Sequence, residues 1–136
     1  DDWQTILVGY DGSEPAKRAL ARAGALANDR TRVVVIAVAE PYPRSGVTIP
    51  ANEDKAEMQR RLRELDEANR FLAARGIEAE TVRARGNPAE ILADASSDAD
   101  LVIVGGRKLS RLQRLLLRPV ASRLVAAADC DVLVVP

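Results

Sequence analysis

The chain predicts an α/β fold of the doubly wound type, five parallel strands with helices on both faces, and three observations carry that prediction. Five short runs rich in β-branched residues recur along the 136 residues. Each is separated from the next by a stretch long enough for a helix, and parallel pairing requires connections of that length. Those connections carry apolar residues at helical spacing rather than in alternation. One domain spanning residues 1–136 is the expected unit, because 47% hydrophobic and 29% charged residues supply both a core and a solvated surface.

The elements follow in order. Ile6 to Val8 is a buried strand that ends in the turn Gly9-Tyr10-Asp11-Gly12-Ser13. Ser13 caps a helix with Pro15 in its first turn and Ala16, Ala19, Leu20, Ala23 and Leu26 along one stripe. Val33 to Val38 is an unbroken apolar run, as in a strand covered on both faces. Pro41, Pro43, Gly46 and Pro50 then make a loop. From Asn52 to Arg75 a charged helix keeps the stripe Met58, Leu62, Leu65 and Leu72, and its charges read as a solvated face with i,i+4 pairs Glu57/Arg61 and Asp66/Arg70. Gly76 ends it. Ile77 to Ala84 alternates with charge, which suits a sheet edge. Asn87-Pro88-Ala89-Glu90 starts a third helix, Leu101 to Val104 is a fourth strand closed by Gly105, and a helix from Val120 to Ala127 precedes the strand Val132 to Val135.

Composition excludes several chemistries. The chain has no histidine, which removes Ser-His-Asp and Cys-His nucleophiles, histidine acid–base catalysis and the commonest metal ligand. Zero net charge and 3% aromatic residues argue against a nucleic-acid module. The single cysteine, Cys130, forbids an internal disulfide and suits a reducing compartment, so a cytoplasmic location is expected. No apolar run reaches the roughly 20 residues of a membrane span, and Asp1-Asp2-Trp3 has the wrong sign for a secretory leader. The first residue is not Met, so a regulatory domain of a larger protein such as a transporter stays among the readings.

Doubly wound sheets bind ligands beyond the carboxyl ends of their strands, where the strand order reverses. The turns after the first and fourth strands are therefore the candidate site. The pieces Gly9-Tyr10-Asp11-Gly12-Ser13, Gly86-Asn87-Pro88-Ala89, Asp100-Leu101-Val102-Ile103-Val104-Gly105 and Cys130-Asp131-Val132-Leu133-Val134-Val135-Pro136 together resemble the universal stress protein family, in order and over the whole chain. The resemblance implies the strand order 3-2-1-4-5, a homodimer made through the last strand, and a cytoplasmic stress-response role without catalysis.

Family members that bind ATP carry Gly-x2-Gly-x9-Gly-Ser/Thr after the fourth strand. Here Gly105 fills the first position, but Lys108, Arg118 and Pro119 stand at the other three. A phosphate cradle wants glycines whose N–H groups converge at close range; Lys108 and Arg118 add bulk, and Pro119 removes an N–H and a hydroxyl. The resemblance also matches Asp11 to the family's acid near the adenosine and Val38 to a residue lining the base. Both have plainer readings, Asp11 as a turn acid and Val38 as the end of a buried strand.

Arg107, Lys108, Arg111, Arg114, Arg118 and Arg123 carry six positive charges with no acid between Gly105 and Ala128, leaving −6 on the rest. Leucines 109, 112, 115 and 116 interleave with them, the pattern of a basic amphipathic helix that packs its leucines and solvates its cations. A docking surface for an acidic protein or anionic ligand is the functional alternative. Asp129 and Asp131 flank Cys130 and should raise its pKa, so it reads as a packing residue. Trp3 reads as covering the sheet end or a dimer surface, and Tyr10 and Tyr42 as possible cleft lining. The pairs Glu53/Asp54 and Asp98/Asp100 read as solvated or capping acids, so neither a metal nor a catalytic pair is expected. The leading reading is a non-catalytic homodimeric stress-response module, without a cofactor, that acts through protein contacts. The alternative is an adenine-nucleotide sensor that uses Asp11, with Lys108 and Arg118 as phosphate cations, ATP as the expected ligand and slow hydrolysis as a further option.

Overall fold

A computed structural model describes residues 3–39, 51–106 and 120–136, the side chains of 51–54 and 120–122 apart. The five strands are β1 (Thr5–Gly9), β2 (Arg32–Ala39), β3 (Ala79–Arg85), β4 (Leu101–Gly105) and β5 (Asp131–Val135). Helices α1 (Glu14–Leu26), α2 (Ala51–Ala73), α3 (Pro88–Ala95) and α4 (Val120–Ala127) lie between them, with a 3-10 turn over Ser96–Asp98. The sheet is parallel throughout in the order β3-β2-β1-β4-β5, which is the order the resemblance implied.

Alternation along the strands divides the core into two layers. Ile6, Val8, Val33, Val35, Leu101 and Ile103 face Ala16, Ala19, Leu20 and Ala23 of α1 and Leu65, Ala68 and Leu72 of α2. Leu7, Ile36, Val102 and Val104 face Leu92 and Ala93 of α3 and Leu124 of α4. Burial on both faces is why β2 reads as an unbroken apolar run. Three stripe positions fall outside the core: Met58 is only half-buried, Leu26 is 38% and Leu62 48% exposed. Small alanines let α1 and α2 sit close to the sheet, so the buried face turns toward Ala19, Ala23 and Ala68 and carries those leucines outward.

The local signals behave as their chemistry dictates. Ser13 Oγ accepts from the Ala16 N–H at 3.3 Å and Asn87 Oδ1 from the Glu90 N–H at 3.2 Å, capping α1 and α3. Gly76, at φ +77°, ends α2 with paired bonds, its N–H to the Ala73 carbonyl and the Ile77 N–H to that of Leu72. Ile77 therefore belongs to the helix stop, and β3 starts two residues later, at Ala79. All of β3 except Ala79 and Ala84 is exposed, as an edge strand carrying Glu80, Arg83 and Arg85 must be. The acid Asp100, expected as a capping group, accepts the N–H groups of Gln4 at 3.0 Å and Thr5 at 2.8 Å through one oxygen, fixing β1 beside β4.

Ser96 is a fully buried polar residue. Its hydroxyl donates to the Ala93 carbonyl at 2.6 Å and accepts the Asp129 N–H at 2.8 Å, tying the end of α3 to the start of β5. Ser96→Ala leaves the Asp129 N–H without that acceptor and is expected to destabilise the fold by about 1–3 kcal/mol in urea titration.

Candidate functional site

The strand order reverses at β1 and β4, so their carboxyl ends diverge into a cleft. Tyr10 remains tied to β2 through its N–H to the Ile36 carbonyl at 2.9 Å. Asp11 then turns the chain, and its Oδ1 accepts the Ser13 N–H at 3.0 Å. Gly12 takes φ +78°, a conformation that glycine adopts without strain. On the other side of the reversal, Gly105 ends β4 against the first turn of α1: a Cβ there would lie 2.6 Å from the Ala16 nitrogen and 2.6 Å from the Pro15 carbonyl carbon. Gly106 donates its N–H to the Val135 carbonyl at 2.7 Å, joining the cleft's β4 side to the end of β5.

Of the residues singled out from sequence, Asp11 and Gly105 stand at the two strand ends that define the cleft. Val38 is the penultimate residue of β2, pairs with Ala84 of β3, and packs with the α3/α4 layer. Lys108, Arg118 and Tyr42 lie outside the described residues, as does most of the basic segment; Arg123 is half-buried on α4. Trp3 packs at the edge of the α1/α2 layer. Tyr10 is buried, and its hydroxyl donates to Glu67 Oε1; burial first, then that acceptor, push the phenol's pKa upward. Tyr10, Lys17, Leu20, Glu67 and Phe71 line a mostly apolar depression of about 260 Å³ between α1 and α2.

Two residues of the site were not legible in the sequence. Glu64 of α2 lies over the β1–α1 turn, with Oε2 3.2 Å from where a Gly12 Cβ would be. Its Oε1 is 3.0 Å from Arg61 Nε, and the two side chains are only 14% and 13% exposed. Both atoms are sealed from solvent, yet the contact is not aligned as a hydrogen bond. The solvated face expected for α2 is thus interrupted by a buried pair, and neither the i,i+3 spacing nor the residue types distinguish it from exposed neighbours such as Arg60/Glu57. The Glu64 pKa is raised, chiefly by burial; Asp11 and Glu57 add to the rise, while Arg61 and Arg60 oppose it.

Cys130 is partly buried among the α3/α4 layer, and its thiol pKa is raised by burial and by Asp131, Asp100 and Asp129. Among the described residues no group of three or more His, Cys, Asp or Glu is placed to hold a metal ion. No described helix is long and apolar enough to cross a membrane.

A strand-order reversal in a parallel five-stranded sheet with helices on both faces defines a doubly wound α/β protein, the class whose ligand clefts lie at such reversals. The chain belongs to the universal stress protein family, whose model matches residues 2–136. It is 35% identical over 138 residues to a universal stress protein of Thermus aquaticus, covering 98% of each chain. Among solved structures it resembles a universal stress protein in complex with cAMP, with 28% identity, a TM-score of 0.76 and coverage of 100% of this chain and 99% of that one. It also resembles the Archaeoglobus fulgidus universal stress protein in complex with dAMP, with 25% identity, a TM-score of 0.68 and full coverage of both chains.

Proposed function

We propose that this universal stress protein is a non-catalytic, homodimeric cytoplasmic module that acts through protein contacts, and that its cleft has lost the grip on a triphosphate. The observation that carries this reading is the replacement of the phosphate-cradling pattern by Lys108, Arg118 and Pro119. Backbone N–H groups arranged around glycines recognise phosphate by geometry, and two long cations with a proline substitute charge for that geometry. The site of Gly105 supports the same reading, because the space left by its missing side chain is taken by α1. The pairing surface proposed for the dimer is β5, the sheet edge on which Val134 is 37% exposed.

A second reading rests on the two relatives solved with cAMP and dAMP. Each of those ligands carries one phosphate, which needs less of a cradle than a triphosphate. In that reading the cleft holds an adenine nucleotide by Asp11, with Lys108 and Arg118 neutralising phosphate.

Denaturing the purified protein and separating the released small molecules by anion exchange, with calorimetry against ATP–Mg²⁺ and AMP, tests both. The expected result is no stoichiometric ATP and no micromolar heat of binding for ATP–Mg²⁺. Retained ATP would overturn the first reading; AMP binding without ATP binding would favour the second.

A further inference from the structure

The depression between α1 and α2 contains none of the cleft residues Asp11, Val38 and Gly105. Its lining combines buried Tyr10 and Leu20, half-buried Phe71, and two exposed charges, Lys17 on α1 and Glu67 on α2. Most of this lining is set in advance. The Tyr10 hydroxyl donates to Glu67 Oε1 and holds that carboxylate in place, which leaves Oε2 as an acceptor. Arg75 stacks on the Phe71 ring, its guanidinium carbon 3.7 Å from the centroid, and donates to the Phe71 carbonyl at 3.3 Å. Leu20 is packed in the α1/α2 layer. A site already in shape loses little freedom when it fills. Lys17 is the adjustable part: its ion pair with Glu14, at 3.4 Å, joins two exposed side chains, and such a pair contributes little. Among the described ion pairs none joins Lys17 to Glu67, so opposite charges flank the apolar space without cancelling each other.

We propose that this depression binds a free α-amino acid with an aromatic side chain. Its volume, about 260 Å³, falls just below the range of drug-sized ligand pockets and suits a single ring with a short polar end. Tyr10 and Phe71 offer ring surfaces to that side chain, and aromatic rings gain from edge-on and offset packing. The ligand's carboxylate meets Lys17 on α1, and its ammonium meets Glu67 on α2. A plain carboxylate would set its charge against Glu67, and a plain amine would set its charge against Lys17; the zwitterion answers both. Tyr10 immediately precedes Asp11, so an occupant touches the residue that leads into the β1–α1 turn. The protein thereby gains a small-molecule input distinct from its strand-end cleft.

Amide NMR titration of the isotope-labelled protein with L-phenylalanine, phenylpropionate and phenethylamine tests the site. L-phenylalanine is expected to shift the amides around Leu20 and Phe71 saturably, with a Kd in the millimolar range or tighter, and to leave those of Val104 and Gly105 in place. Each analogue lacks one charge and should bind about tenfold more weakly. Glu67→Gln keeps an acceptor for Tyr10 but loses the charge, so it should weaken L-phenylalanine by about tenfold and leave phenylpropionate no weaker. Lys17→Met, at an exposed position, should weaken L-phenylalanine and phenylpropionate and spare phenethylamine, which keeps the test intact if the Glu67 variant folds poorly. Absence of saturable shifts with L-phenylalanine, equal affinity for either analogue, shifts centred on Gly105, or variants that weaken all three ligands alike would each overturn the proposal.

Discussion

Replacing Gly105 with alanine is expected to destabilise the protein by about 3 kcal/mol, toward the upper end of what overpacking costs. In a thermal melt that corresponds to a loss of about 10 °C in Tm for a domain of this size. The added Cβ meets the Ala16 nitrogen and the Pro15 carbonyl carbon at 2.6 Å and the Pro15 Cβ at 2.7 Å. These are mostly backbone atoms of a capped helix, and they cannot rotate away as a side chain would. Either α1 shifts off β4 or β4 withdraws from the sheet centre, and both movements disturb the layer containing Leu20 and Ile103. Gly106→Ala is the matched control. Its Cβ would meet Val134 Cγ1 at 3.0 Å, a side-chain methyl on a partly exposed residue, so a loss within about 1 kcal/mol is expected. Equal losses for the two variants would refute the packing account of Gly105.

The other large effect is a gain. Arg118→Gly combined with Pro119→Ser restores glycine, a backbone N–H and a hydroxyl at two positions of the phosphate pattern. If each donor to a charged phosphate contributes about 1.5–3 kcal/mol, the pair should strengthen ATP–Mg²⁺ binding by about a hundredfold or more, from millimolar toward micromolar Kd. Titration calorimetry on the wild-type and doubly substituted proteins reads the difference. The first reading of the cleft fails if the wild-type protein already binds at micromolar level, or if the substitutions change nothing.

Architecture was legible because its determinants are local and periodic. The apolar run of β2, the caps at Ser13 and Asn87, and the stop at Gly76 each act within a few residues, and each is found with its expected partner. Which leucines lie inside was only partly legible: Leu26 and Leu62 share a spacing with buried residues, but the way each helix rests its small alanines on the sheet turns them outward. Asp11 and Gly105 could be placed because a strand end followed by a turn fixes position along the chain. Glu64 could not. Its partner is a backbone glycine 52 positions away, and its burial depends on where α2 crosses the turn rather than on any pattern within α2.

The clasp between Asp100 and the start of β1 bears on how the chain is made. β1 is the middle strand of the sheet, yet it is the first to be synthesised, and the carboxylate that fixes it beside β4 follows 95 and 96 residues behind the N–H groups it holds. Until β4 emerges, β1 pairs with β2 alone and presents an open apolar edge, the kind of surface on which nascent chains misassociate. Such distant pairing also slows folding, since loop closure must precede the contacts that reward it. The strand at the heart of the sheet is thus the first made and among the last secured, and the growing chain is most vulnerable in the interval between them.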